Sequence, residues 1–143
     1  MAPLPLFLIV GGFAEAGGIK FLAHQILNLT GGEPKITTML ILWASGFFSA
    51  IVDNIPFTAT MVPMIQELKT VMDIYPLWWA LSLGACLGGN ATIIGAAANV
   101  IVIEAAIVKG YKISFLKFMK YGIIITIISL LGSSVYLYFR FLI

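Results

Sequence analysis

Two polar runs interrupt long apolar stretches of this chain: Asp53-Asn54-Ile55-Pro56, and Gly88-Gly89-Asn90-Ala91-Thr92 running on to Gly95 and Asn99. In lipid a chain leaves helix only where protein or trapped water satisfies the freed backbone groups. A carboxylate placed there costs several kcal/mol, of order 3 on insertion scales, unless it is paired, protonated or hydrated. Asp53 therefore reads as a proton carrier or ion ligand. Asn54 adds a side-chain carbonyl oxygen, and Thr58 and Thr60 follow with hydroxyls. In the second run the glycines let backbone approach an ion closely. Asn90, Thr92 and Asn99 supply neutral oxygens, the type suited to an ion that is held weakly and must leave again.

Each run also has a plainer reading. Asp and Asn are favoured at helix N-caps, and Pro56 suits a first turn. A cap alone, however, leaves unexplained the short apolar segment of about 12 residues that follows, which cannot cross a bilayer. Small residues such as Ala85, Gly88 and Ala96 to Ala98 line helix contacts in membranes. Packing accounts for those alanines and Gly88, and leaves Asn90, Thr92 and Asn99 for chemistry. Glu15 and Glu104 are further carboxylates near apolar segments, and His24 lies on a polar stripe.

The elements that must position these residues follow from composition. Of 143 residues, 61% are hydrophobic and 10% charged, with mean hydropathy +1.07. Soluble domains carry about 25% charged residues, so this is the composition of an all-α membrane protein. Residues 1–14 read as a truncated helix. Residues 19–29 read as a short interfacial helix, with Lys20, His24 and Asn28 on its polar side. Residues 36–68 read as a re-entrant helical hairpin whose tip is Asp53-Asn54-Ile55-Pro56. Residues 76–108 are too long for one straight crossing, about 50 Å at 1.5 Å per residue, and read as a discontinuous transmembrane helix broken near Gly88 to Thr92. Residues 121–143 form a final span.

The loop 109–120 holds Lys109, Lys112, Lys117 and Lys120 with no acid, which places it in the cytoplasm. The hairpin then opens from the opposite side. Trp43, Trp78, Trp79 and Tyr75 read as interface anchors.

The same composition excludes other classes. A net charge of +2 with dispersed lysines gives no nucleic-acid surface, and the single cysteine, Cys86, permits neither an internal disulfide nor a thiolate metal site. No nucleophile–base pair, metal cluster or phosphate loop stands in the sequence, so an enzyme is not expected and no cofactor is called for. A lipid bilayer is the expected partner, and a small ion or oxyanion the expected substrate. The competing reading is an accessory or assembly membrane subunit, or a non-transporting relic of a carrier.

At these residues the chain resembles the ion-transporter superfamily of arsenite permeases, sodium/proton antiporters and citrate-transporter-like permeases, above all its ArsB/NhaD branch. The stretches that carry the resemblance are LILWASGFFSAIVDNIPFTATMVPMI and LWWALSLGACLGGNATIIGAAANVIV, with VGGFAEAGGIKFLA and ISFLKFMKYG beside them. The resemblance implies one half of an inverted-repeat, elevator-type secondary transporter of the inner membrane, working by alternating access. It implies that Asp53, Asn54 and Ile55 form the hairpin tip, where dicarboxylate-transporting relatives carry Ser-Asn-Thr, and that Gly89 to Asn99 unwind. Asn54 becomes a sodium ligand where Na+ is the coupling ion, with Thr92 and Asn99 as neighbours. Asp53 in place of Ser sets a negative charge against a dicarboxylate and favours Na+/H+ exchange, or extrusion of neutral arsenite. The resemblance covers the C-terminal half of such carriers only, so a missing N-terminal half is an expected partner, and a homodimer the expected assembly.

Overall fold

A computed structural model describes residues 3–52 and 54–143, and every regular element among them is helical. In order they are α1 (Pro3–Glu15), α2 (Gly18–Thr30), α3 (Pro34–Ser49), α4 (Asn54–Leu68), α5 (Tyr75–Gly88), α6 (Ala97–Val108) and α7 (Phe115–Leu137), which runs on into a π-helical turn, Tyr138–Leu142.

Local chemistry sets most of these limits. α2 stops at Gly31 in the left-handed region, φ 62°, which glycine enters without a Cβ penalty. α3 and α5 each carry a proline in the first turn, where the missing N–H costs nothing. Ser114 caps α7 by accepting from Lys117 N, as short polar side chains do at N-caps. Pro63 sits inside α4 and removes one helical donor there. Phe115–Leu142 is the one helix among the described residues long and apolar enough to cross a bilayer.

The core is a sandwich of α3 and α5 with α7 laid across both, while α4 packs on α2, α1 and α5. α3 and α5 approach backbone to backbone. A Cβ on Gly84 would lie 2.5 Å from Leu42 O, and one on Gly88 would overlap the backbone of Gly46. Such crossings need residues without side-chain bulk, because lipid offers no hydrophobic force to squeeze helices together. Around them Ile41, Leu42, Met64, Ile65, Leu68, Leu77 and Leu137 are fully buried.

α7 runs antiparallel to α3 and α5. Near its C-terminus Phe141 stacks on Trp79 (6.1 Å) and meets Tyr75 edge-on (5.7 Å), while Lys35 lies over the Tyr138 ring at 5.7 Å. Midway, Trp43 donates its indole N–H to Ser134 Oγ at 3.1 Å, tying α3 to α7. This indole thus joins two helices, whereas Trp79 and Tyr75 belong to the aromatic cluster at one end of the bundle. At the other end Thr126 reaches Leu87 O (3.3 Å) and Gly122 lies against the Asn90 and Ala91 carbonyls. α7 continues past that level for two to three turns, about 10–16 Å, to Phe115. Much of the remaining surface is apolar, with Ile101, Val102 and Val108 of α6 and Ile124, Ile125 and Ile128 of α7 all exposed.

Candidate functional site: two interrupted helices facing each other

The chain leaves helix between α3 and α4 and again between α5 and α6, and the two interruptions meet. α3 ends at Ser49, and its turn runs through Ala50, Ile51 and Val52. α5 ends at Gly88, and Gly89 to Ala96 run without regular structure before α6 begins. The last four carbonyls of any helix have no partner within it. Here other elements supply partners: Ser49 Oγ donates to Ala85 O (2.5 Å), Thr126 Oγ1 and Asn90 N donate to Leu87 O, and Ala91 N donates to Gly88 O.

Asn54, the first residue of α4, sets its side-chain amide against the Ser49 hydroxyl and close to Gly89. Gly89 and Gly95 touch through their backbones. A Cβ on Gly95 would stand 2.7 Å from Gly89 O and 3.0 Å from Ser49 O. Thr92 joins the two interruptions directly: its hydroxyl donates to Ala50 O (2.5 Å) and accepts from Gly95 N (3.0 Å). Asn99, on the first turn of α6, closes the unwound segment by donating Nδ2 to Gly89 O and to Thr92 O, both at 2.9 Å.

The structure therefore brings Asn54, Gly89, Thr92 and Asn99 together. Asn99 enters through its nitrogen, as a clamp on two loop carbonyls. Thr58 lies one helical turn beyond Asn54 on the same face of α4, half-buried, while Ile55 is exposed. Thr60 bonds back to Pro56 O of its own helix (3.0 Å). Asn90 stands apart. It lines a separate cavity of about 560 Å³ against α7, with Lys117, Phe118 and Tyr121. Asp53 lies outside the described residues. Glu15 and Glu104 are exposed, away from the junction, and no group of His, Cys, Asp or Glu suited to a metal ion occurs among the described residues.

Ser49 and Thr126 were not singled out in the sequence. The signal was there in a weak form: each is a hydroxyl whose immediate chain neighbours, Phe48 and Ala50 or Ile125 and Ile127, are apolar. In membranes such residues bond across helices. The junction is rich in neutral oxygens, since Ser49 O at the end of α3 and Gly89 O, Gly95 O and the Thr92 hydroxyl of the α5–α6 segment lie within a few ångströms of each other. That is the donor type hard cations of low charge density take.

Residues 6–143 match the family model described as Citrate transporter. The chain is 43% identical over 144 residues to a "46 kDa membrane protein" of Mycobacterium leprae, covering 96% of this chain and 33% of that one. It is 43% identical over 140 residues to an "uncharacterized transporter" of Mycobacterium tuberculosis, covering 95% and 33%. The "P protein" of Homo sapiens is 35% identical over 141 residues, covering 92% of this chain and 17% of that protein. The chain thus spans about a third of the length of the mycobacterial relatives it matches. No solved structure matches it.

Proposed function

This chain belongs to the citrate transporter family and is a membrane protein, and from that premise we propose that it forms one half of a secondary transporter for a small ion or oxyanion. The observation that carries the reading is the meeting of the two interruptions. Ser49 to Asn54 and Gly89 to Gly95 bring backbone carbonyls from two helix ends to one junction, joined by Thr92. Ion sites of inverted-repeat carriers are built from such discontinuous helices, at the interface of the repeats.

On this reading α3 and α4 form a re-entrant hairpin. Two features support it: both arms, of 16 and 15 residues, are short of the ~20 residues a full crossing takes, and α7 extends beyond the tip by two to three turns. The carrier is of the ArsB/NhaD type, multi-pass in the inner membrane with residues 109–120 in the cytoplasm, and one repeat moves as an elevator against the rest. Asn54 is the cation ligand, Na+ being the coupling ion, and Asp53 exchanges a proton or holds the ion. Thr92 and Asn99 shape the cradle from behind. Ile55 and Thr58 flank the tip, and Asn90 faces the α7 side. The other half of the site comes from an N-terminal half of the carrier, and the whole assembles as a homodimer.

Sodium- and pH-dependent uptake into proteoliposomes tests this. The chain is reconstituted alone and with an N-terminal half taken from a mycobacterial relative, as wild type and as Asp53→Asn. Uptake that needs both halves and disappears in Asp53→Asn is the expected result. Silence with both halves present overturns the transport reading and leaves an accessory subunit.

A further inference from the structure

The Ser49 hydroxyl lies within hydrogen-bonding reach of two oxygens as placed, Ala85 O and Asn54 Oδ1. A serine carries a single proton, and a backbone carbonyl can only accept. The Ser49 proton therefore goes to Ala85 O, because two oxygens at 2.5 Å with no proton between them would repel. The contact between Ser49 and Asn54 then needs a second proton, which only the carboxamide can supply. A carboxamide turned by 180° about χ2 fits the same space with nitrogen and oxygen exchanged, and the hydrogen-bond network decides which end is which. Turned so, Asn54 Nδ2–H donates to Ser49 Oγ, and Asn54 Oδ1 takes the other position.

That other position faces Gly89. The second atom of the Asn54 carboxamide lies 3.5 Å from where a Cβ on Gly89 would stand. Ser49 is fully buried, so water does not compete for its proton. We infer that Ser49 is a positioning residue: by spending its one proton on Ala85 O it obliges Asn54 to present nitrogen to the α3–α5 interface and oxygen to the junction of the two interrupted helices. Asn99 does the converse, giving nitrogen to Gly89 O and Thr92 O. One asparagine is thus oriented to satisfy the loop and the other to leave an oxygen for a cation. The cation rests on the transport reading above; the orientation of Asn54 does not.

The chain has four asparagines, Asn28, Asn54, Asn90 and Asn99, so labelling asparagine side chains with 15N in lipid nanodiscs gives four amide pairs, assigned by single substitutions. One Asn54 Nδ2 proton should exchange slowly in the wild type and about tenfold faster in Ser49→Ala, the loss of one buried hydrogen bond. Ser49→Thr, which keeps the hydroxyl, should restore protection. Unchanged Asn99 signals report that the loop is still folded in each variant. Sodium chloride, titrated against choline chloride, should shift the Asn54 pair at a midpoint that rises about tenfold in Ser49→Ala. Equal Asn54 exchange in wild type and Ser49→Ala, with Asn99 unchanged, overturns the inference. Slow Asn54 exchange that depends on Ser49, with no sodium-specific shift, upholds the orientation and overturns the sodium part of the transport reading.

Discussion

The backbones of Gly89 and Gly95 lie against each other across the unwound segment, so that a Cβ on Gly95 would stand 2.7 Å from Gly89 O. The neighbouring atoms are backbone of both interruptions and cannot swing aside as a side-chain tip would. Gly95→Ala should therefore push the α5–α6 segment off the α3–α4 turn. We expect loss of transport in the two-half proteoliposome assay with helix content by circular dichroism unchanged. Wild-type transport in Gly95→Ala would show that this closeness is not needed.

Gly88 and Gly132 make a contrasting pair. A Cβ on Gly88 overlaps the backbone of Gly46, whereas one on Gly132 meets nothing within 4 Å. Gly88→Ala should lower stability by about 1–3 kcal/mol through overpacking. Gly132→Ala should raise it by up to about 1 kcal/mol, the helix preference of alanine over glycine. Thermal unfolding in detergent, followed by circular dichroism, separates the two, and equal midpoints would contradict the α3–α5 crossing.

Asn99 is useful through its nitrogen, which serves Gly89 O and Thr92 O at once. Asn99→Asp replaces that donor with an acceptor facing two acceptors. The expected loss is about 1–3 kcal/mol, the penalty of leaving such groups unpaired. It should exceed that of Asn99→Ala, which removes the donor without adding repulsion. Asp tolerated better than Ala, by unfolding midpoint, would argue that the side-chain oxygen matters more than the nitrogen.

Thr92 carries the hydrogen bond that links the two interruptions, to Ala50 O. Thr92→Val keeps the volume and removes the hydroxyl, while Thr92→Ser keeps the hydroxyl. If the linkage moves both interruptions together, Thr92→Val should reduce transport at least about tenfold, the weight of one buried hydrogen bond, and Thr92→Ser should retain most of it. A double-mutant cycle with Ser49→Ala should show coupling of about 0.5–3 kcal/mol, as residues in one network do. Strict additivity would mean that Thr92 and Ser49 brace the junction independently.

The sequence alone determined the all-helical, membrane character of this protein and most of the places where its helices break, although the last helix begins at Phe115, inside the stretch 109–120 expected as a loop. Those are local properties. A polar or glycine-rich run in an apolar segment breaks helix wherever it lies, and proline or glycine marks the ends, as Pro34, Pro76 and Gly31 do. Asn54, Thr92 and Asn99 were legible for the same reason: polar side chains in apolar surroundings stand out without knowledge of their neighbours.

Only the tertiary structure decided what those residues face. Ser49 and Thr126 stood out little in the sequence because each is one of several hydroxyls on its helix, and its meaning comes from Ala85 O and Leu87 O, 36 and 39 residues away. Asn90 and Thr92 stand two residues apart and look alike as oxygen donors. The path of the backbone after Gly88 sends Asn90 toward α7 and Thr92 toward Ala50. Periodicity does not reach into an irregular segment, so direction there follows from the carbonyls and helix faces that happen to surround it.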